Sequence, residues 1–203
     1  MAQRFITLFF STIVGSILAA SLMTMSTPAA QALPVSKSAS RDNHHIEELF
    51  HRDQQDRHSR KLSTKELASR SDERRIAVLK LYYGNQVQTP NDLFRAATVL
   101  LHGKVPEDYL LAHEMAVAAV AAGRPNSRWL AAATEDKFLL SIGRPQRFAT
   151  QYRTEDGKML GLHRVELGVI DPLRQMMEVP PFAEAERKAT VATRIAADDE
   201  ATL

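Results

Sequence analysis

Apolar residues recur three and four positions apart along much of the chain, and glycine and proline interrupt that pattern at regular points. Ile46, Leu49 and Phe50 give a helix over 43–60 an inward face. The next helix opens on Ser63-Thr64-Lys65-Glu66. This is a capping box, in which the serine hydroxyl and the glutamate carboxylate satisfy free backbone N–H groups reciprocally. The helix is expected to run to Tyr83, with a break near Ser71, before Gly84 stops it. Thr89-Pro90-Asn91-Asp92 places a cap, a first-turn proline and an acid at the start of a third helix, which ends at His102-Gly103. Pro106 opens a fourth that becomes Ala-rich over 116–122, and Pro125-Asn126 opens a fifth that ends at Ile142-Gly143.

Gly103, Gly123 and Gly143 are each followed within three positions by Pro106, Pro125 or Pro145. Glycine accepts the left-handed conformation just past a helix end, and proline fits the first turn of the next helix. Short connections make neighbouring helices antiparallel. The pattern predicts a mainly α fold, a compact antiparallel bundle of about five helices, with the Ala-rich helix central. A small C-terminal β-hairpin is expected at about 147–165. Its Asp156-Gly157 turn pairs Glu155 with Lys158, Tyr152 with Gly161, Thr150 with His163 and Phe148 with Val165. Phe148, Tyr152 and Val165 would then share a face. Asp171-Pro172 begins a short helical turn, Pro180-Pro181 breaks it, and 183–203 reads as a helix-prone, frayed tail.

The ends refine this picture. Arg4, the apolar stretch 5–20 and Ala30-Gln31-Ala32 read as a secretory signal over 1–32 with an A-x-A cleavage site. The apolar stretch is shorter than the roughly 20 residues a membrane span needs, so cleavage is expected rather than an anchor. The localisation expected is therefore periplasmic or secreted. Residues 33–42 are Ser-rich and aperiodic, a flexible linker, and 43–182 form the domain. Removing residues 1–32 from 203 leaves 171, enough for one domain with a sizeable core. With no cysteine there is no disulfide framework or thiolate metal site. The net charge of +2 and interspersed charges argue against a nucleic-acid partner. No membrane association is expected after signal cleavage. The expected partner is a protein or a small ligand.

Several polar residues break the apolar pattern. The inward face of the first helix continues into Asp53, Asp56 and Arg57. Asp136 falls within the apolar arc of Trp129, Ala132, Ala133, Leu139 and Leu140 in the fifth helix. A buried carboxylate needs a cation or hydrogen-bond donors, and Arg57 is the expected partner of Asp136. Such a pair either locks the first helix to the bundle or forms a polar pocket. His44, Glu48, His51, Gln55 and His58 have metal-ligand spacing, but they lie opposite Ile46, Leu49 and Phe50 and should face water, so no metal or cofactor is expected. His102 reads first as a residue at a helix C-terminus, where its protonated form is favoured. The chain has no G-x-S-x-G, no phosphate-binding glycine loop and no H-E-x-x-H.

Asp53-Gln54-Gln55-Asp56-Arg57, Asp72 with Arg74-Arg75, His102-Gly103, Pro106-Glu107-Asp108-Tyr109, Trp129-Leu130 with Asp136, and 143–151 together resemble an uncharacterised family of exported bacterial helical proteins. Its pattern is D-Q-x-x-R, Q-H-G, P-x-D-Y, W-L followed by D-R, and G-x-P-Q-x-F-G-T-Q. Leu101, Lys137 and Ala149 stand where that pattern has glutamine, arginine and glycine. The resemblance implies no activity. It covers the same acids and Arg57, and it adds His102, Gln146 and Gln151 to the candidate polar cluster. The leading expectation is a non-enzymatic binding or protein-interaction domain. The alternative is an extracytoplasmic hydrolase in which Asp56 or Asp136 is a general base, Arg57 holds an anion and His102 is an acid.

Overall fold

Helix signals in the sequence become real caps in the computed structural model, which describes residues 41–59, 61–155 and 158–200. The expected signal, the linker before residue 41 and the Asp156-Gly157 turn lie outside the described residues. Asn43 caps α1 (His44–His58) by accepting from the backbone N–H groups of His45 and Ile46. Ser63 and Glu66 form the expected capping box on α2 (Thr64–Tyr83), which is continuous through a buried Ser71. Thr89 and Asp92 form another on α3 (Pro90–Leu100). The other Asp92 oxygen accepts the Asn43 N–H at 2.8 Å, which ties the start of α1 to the start of α3.

Helices α4 (Pro106–Ala121) and α5 (Arg128–Ser141) complete the bundle, the latter entered through a short 3-10 turn at Pro125–Ser127. Helix α4 lies between α3 and α5 and buries Ala112, Met115, Ala116 and Ala119, so small residues bring the backbones close. Its opposite edge is open, with Val117 48% exposed, so the Ala-rich helix is central in order but not enclosed. Ile46, Val78, Ala96, Val99, Leu100 and Leu130 join it in one apolar core. Burial at this density is the main stabilising term of such a bundle.

Two of the three helix-stop glycines act as expected: Gly123 has φ +92° and Gly143 φ +77°. Gly103 is required for another reason. A side chain there would meet Asp108 Cβ at 2.5 Å, so glycine permits the approach of that carboxylate. Asp108 accepts the N–H groups of Lys104 and Val105 and pairs with Arg75 at 3.1 Å. Tyr109 donates its hydroxyl to Gly103 O.

The hairpin is shorter than the sequence suggests, β1 (Tyr152–Glu155) with β2 (Lys158–Leu162). Glu155 pairs with Lys158 as expected, but a bulge between Arg153 and Thr154 shifts the rest, so Tyr152 faces Leu162 rather than Gly161. Residues 147–151 are not strand: they wrap the end of α5, and Gln146 bridges Val165 in parallel. The predicted shared face of Phe148, Tyr152 and Val165 therefore does not form. A short helix α6 (Asp171–Met176) follows. The segment read as a helix-prone tail forms α7 (Phe182–Glu200), which packs on β2 and buries Ala185 and Ala189. Asp42, read as the end of the linker, accepts from Thr89, Asn91 and Arg95.

Candidate functional site

Asp53 is 0% exposed because it lies on the face that Ile46 and Leu49 turn inward. Four side chains converge on it. Arg57, one helical turn later, donates Nε to Oδ2 at 3.0 Å and Nη2 to Oδ1 at 3.1 Å. Arg74 of α2 places Nη2 3.3 Å from Oδ1, and Gln54 donates to Oδ2. His102, just past α3, places Nδ1 3.3 Å from Oδ2, outside hydrogen-bond geometry. Burial alone would raise the Asp53 pKa, but the His102 and Arg57 contacts outweigh it and hold the carboxyl at about 2.

The His102 pKa is lowered as well, against the protonated form expected at a helix C-terminus. Burial lowers its pKa, Asp53 opposes that, and the charges of Arg57 and Lys137 add to the lowering. The neutral imidazole has one N–H and one lone pair. The Asp53 carboxylate 3.3 Å from Nδ1 favours the tautomer with its hydrogen on Nδ1, which leaves Nε2 as the acceptor. Nε2 makes no hydrogen bond to a described residue, and neither does Arg57 Nη1.

Both side chains line a cavity of about 420 Å³. Its other walls are largely apolar, with Phe50, Phe94, Leu101, Leu130 and Trp129. Trp129 is 43% exposed, not inward as its helical phase suggested. The site is thus a pocket with three aromatic hydrophobic side chains, and Arg57 and two histidines, His102 and His58, are among its polar residues. Lys137 adds positive charge nearby. Its ammonium lies 5.7 Å from the Tyr109 ring centre, has no ion-pair partner among the described residues, and has a pKa lowered by burial and by Arg57.

The remaining candidates go elsewhere. Asp56 is half-buried, paired with Arg74 at 2.6 Å and Arg70 at 3.0 Å, and borders a different, polar cleft. Asp136 does not meet Arg57, which is occupied by Asp53. Instead its Oδ1 accepts the backbone N–H groups of Arg147 at 2.7 Å and Phe148 at 2.8 Å. Its Oδ2 accepts the N–H and hydroxyl of Thr150 at 2.9 and 2.8 Å. Burial pushes its pKa up, and these donors offset part of the rise. Gln146 is 0% exposed and stitches the loop by donating to Gln151 O and His163 O while accepting the Gln151 N–H. Gln151 donates to Ala133 O. Asp136, Gln146 and Gln151 build the turn after α5 rather than lining the pocket.

Asp53, Arg57 and His102 are thus the expected residues that come together. Helix phase did not reveal Arg74, Phe94 or the pocket position of Trp129. Arg74 and Trp129 lie within the motifs of the resemblance, whereas Phe94 carries no signal of its own. Of the histidine stripe, His44 and His51 face water, 82% and 61% exposed, whereas the exposed His58 borders the pocket. No group of three or more potential ligands positioned to hold a metal occurs among the described residues. Compared with known proteins, the chain matches no family model, no curated protein and no solved structure.

Proposed function

We propose that the domain binds a small ligand with an aromatic or apolar body and an anionic group, in the pocket between α1, α3 and the start of α5. The observation that carries this reading is the wall formed by Arg57 and His102 in an otherwise largely apolar cavity of about 420 Å³. A small number of placed polar groups in a mainly apolar cleft is the usual composition of a ligand site. Arg57 is already oriented by Asp53, so its unpaired Nη1 is held for an acceptor without further ordering cost. Export, to the periplasm or beyond, belongs to the same proposal and rests on Arg4, the apolar stretch 5–20 and Ala30-Gln31-Ala32.

Trp129 is the single tryptophan of the chain and lines both this pocket and a cavity beside Thr150 and Lys188, so its fluorescence reports occupancy of either and Arg57→Gln tells them apart. Anilinonaphthalene sulfonate, an aromatic anion, should quench it saturably, and Arg57→Gln should weaken that binding about tenfold, consistent with a charge-assisted hydrogen bond worth roughly 1.5–3 kcal/mol. Equal binding to wild type and variant would sink the reading.

A second reading is favoured by the Asp53–His102 contact: a hydrolase in which His102 Nε2 is the general base. In this version neither Asp56 nor Asp136 supplies the base, because one is ion-paired and the other is enclosed by backbone N–H groups. It requires nitrophenyl ester hydrolysis that His102→Gln abolishes while sulfonate binding persists. Ester cleavage that survives His102→Gln would remove it.

A further inference from the structure

Arg174, on α6, takes no part in the pocket of Arg57, and its surroundings leave it incompletely paired. Its side chain is 1% exposed. Nε donates to Pro180 O at 2.8 Å. The nearest carboxylate, Asp171, lies 3.6 Å from Nε, is 59% exposed, and already accepts the Phe182 N–H. Nη2 is buried with no acceptor, and Nη1 makes no hydrogen bond to a described residue. A guanidinium presents five N–H donors in a fixed fork, and leaving charged donors buried and unmade is costly.

Arg174 borders a cavity of about 180 Å³ walled by the 165–170 segment, Phe182 and Arg147. Arg147 gives Nη1 to Glu135 at 2.7 Å and makes no other side-chain hydrogen bond to a described residue. Two arginines therefore border one small space, which at roughly 30 Å³ per water has room for a small polyatomic anion. The acidic groups around it are Asp171, Glu135, Asp136 and the exposed Glu166, and Tyr152 is also near. Glu135 and Asp136 are held by other donors, and Asp171 approaches Nε rather than Nη2.

We propose that this cavity binds a small oxyanion, a carboxylate or a phosphate, with Arg174 as the buried anchor and Arg147 as the outer cation. The site is separate from the pocket of Arg57 and does not depend on its function. Fork-shaped donors match either oxyanion bidentately, whereas chloride can use only one direction of the fork.

The test is thermal unfolding of the purified protein in phosphate, acetate and chloride at equal ionic strength. Phosphate or acetate should raise Tm by several degrees over chloride, and the larger rise identifies which oxyanion the cavity takes. Arg174→Met should abolish the rise, and Arg57→Gln should keep it. Because Arg174→Met replaces a buried residue and can fail to fold, Arg147→Gln serves as the milder variant, with phosphate or acetate affinity by calorimetry reduced severalfold. No rise in the wild type, a rise kept in Arg174→Met, or one lost in Arg57→Gln would overturn the proposal. So would an anion effect that emerges only in Glu166→Gln, because Glu166 would then be the natural partner of Arg174.

Discussion

Asp53 and Asp136 are both fully shielded from water, yet they are satisfied in opposite ways. Asp53 sits between Arg57, Arg74 and His102, side chains from three segments, and its pKa falls to about 2. Asp136 meets no cation within ion-pair distance among the described residues; it accepts three backbone N–H groups and one hydroxyl from the turn after α5, and burial pushes its pKa up. A carboxylate neutralised by side chains leaves those side chains with spare donors and a cavity to aim them into. One enclosed by backbone amides has no spare valence and shapes a loop. The first arrangement borders the candidate site and the second builds the scaffold next to it.

The largest effect expected from this contrast is at Asp53. Asp53→Ala leaves Arg74, 6% exposed, and Arg57 without their shared buried counter-charge, and should cost about 4 kcal/mol in a urea melt. A loss under about 1 kcal/mol would show that Asp56 alone can neutralise Arg74. Asp136→Ala should come next, at about 3 kcal/mol, because the N–H groups of Arg147 and Phe148 and both donors of Thr150 lose their acceptor while part of the turn regains water. If Asp136→Ala proves costlier than Asp53→Ala, the loop rather than the ion cluster is the harder constraint.

Acid separates the two aspartates by sign. The folded pKa of Asp53 lies below its ordinary 3.8, so its contribution is present above that value and is lost as pH falls toward 2, about 2 kcal/mol in all. The folded pKa of Asp136 lies above 3.8, so the protonated form is favoured in the fold and its contribution is lost as pH rises through the shifted value. Stability measured from pH 5 to 2 should therefore fall less steeply in Asp53→Ala than in wild type, and more steeply in Asp136→Ala. Parallel profiles would contradict the assigned shifts.

The smallest effect is at Ala149, which holds φ +49° within the turn around Asp136. Left-handed backbone costs a non-glycine residue about 1–2 kcal/mol. Glycine would relieve that strain, but it loses a buried methyl and gains freedom in the unfolded chain. Ala149→Gly should accordingly shift stability by no more than about 1 kcal/mol. A larger gain would mean that the turn is strained beyond what Asp136 compensates.

How much of this was legible follows from the range of each interaction. The caps at Ser63 and Thr89, and the stops at Gly123 and Gly143, depend on residues within one turn, so local sequence specifies them. Asp53 and Arg57 stand four positions apart on one helix, and helix phase brings them together before any tertiary contact is known. The pairing of Asp136 with Arg57 failed because periodicity shows that a carboxylate is buried but not which donors reach it. Backbone N–H groups carry no side-chain signature, so the enclosure of Asp136 left no trace in residue type. The hairpin register failed at the bulge between Arg153 and Thr154, which a regular two-residue alternation cannot anticipate. Trp129 departs from the apolar arc of α5 because a pocket-lining aromatic is hydrophobic and half-exposed at once, and hydrophobicity alone does not separate it from a core residue.

On the proposed reading, the charged wall of the pocket, oriented by Asp53, selects anionic aromatic ligands. The most direct measurement is quenching of Trp129 by anilinonaphthalene sulfonate and by uncharged phenylnaphthylamine, each titrated into wild type and Arg57→Gln. The sulfonate should bind wild type more tightly than the neutral compound, and Arg57→Gln should bring the two together by weakening the sulfonate alone. Equal affinities in wild type, or a variant that weakens both compounds alike, would contradict it.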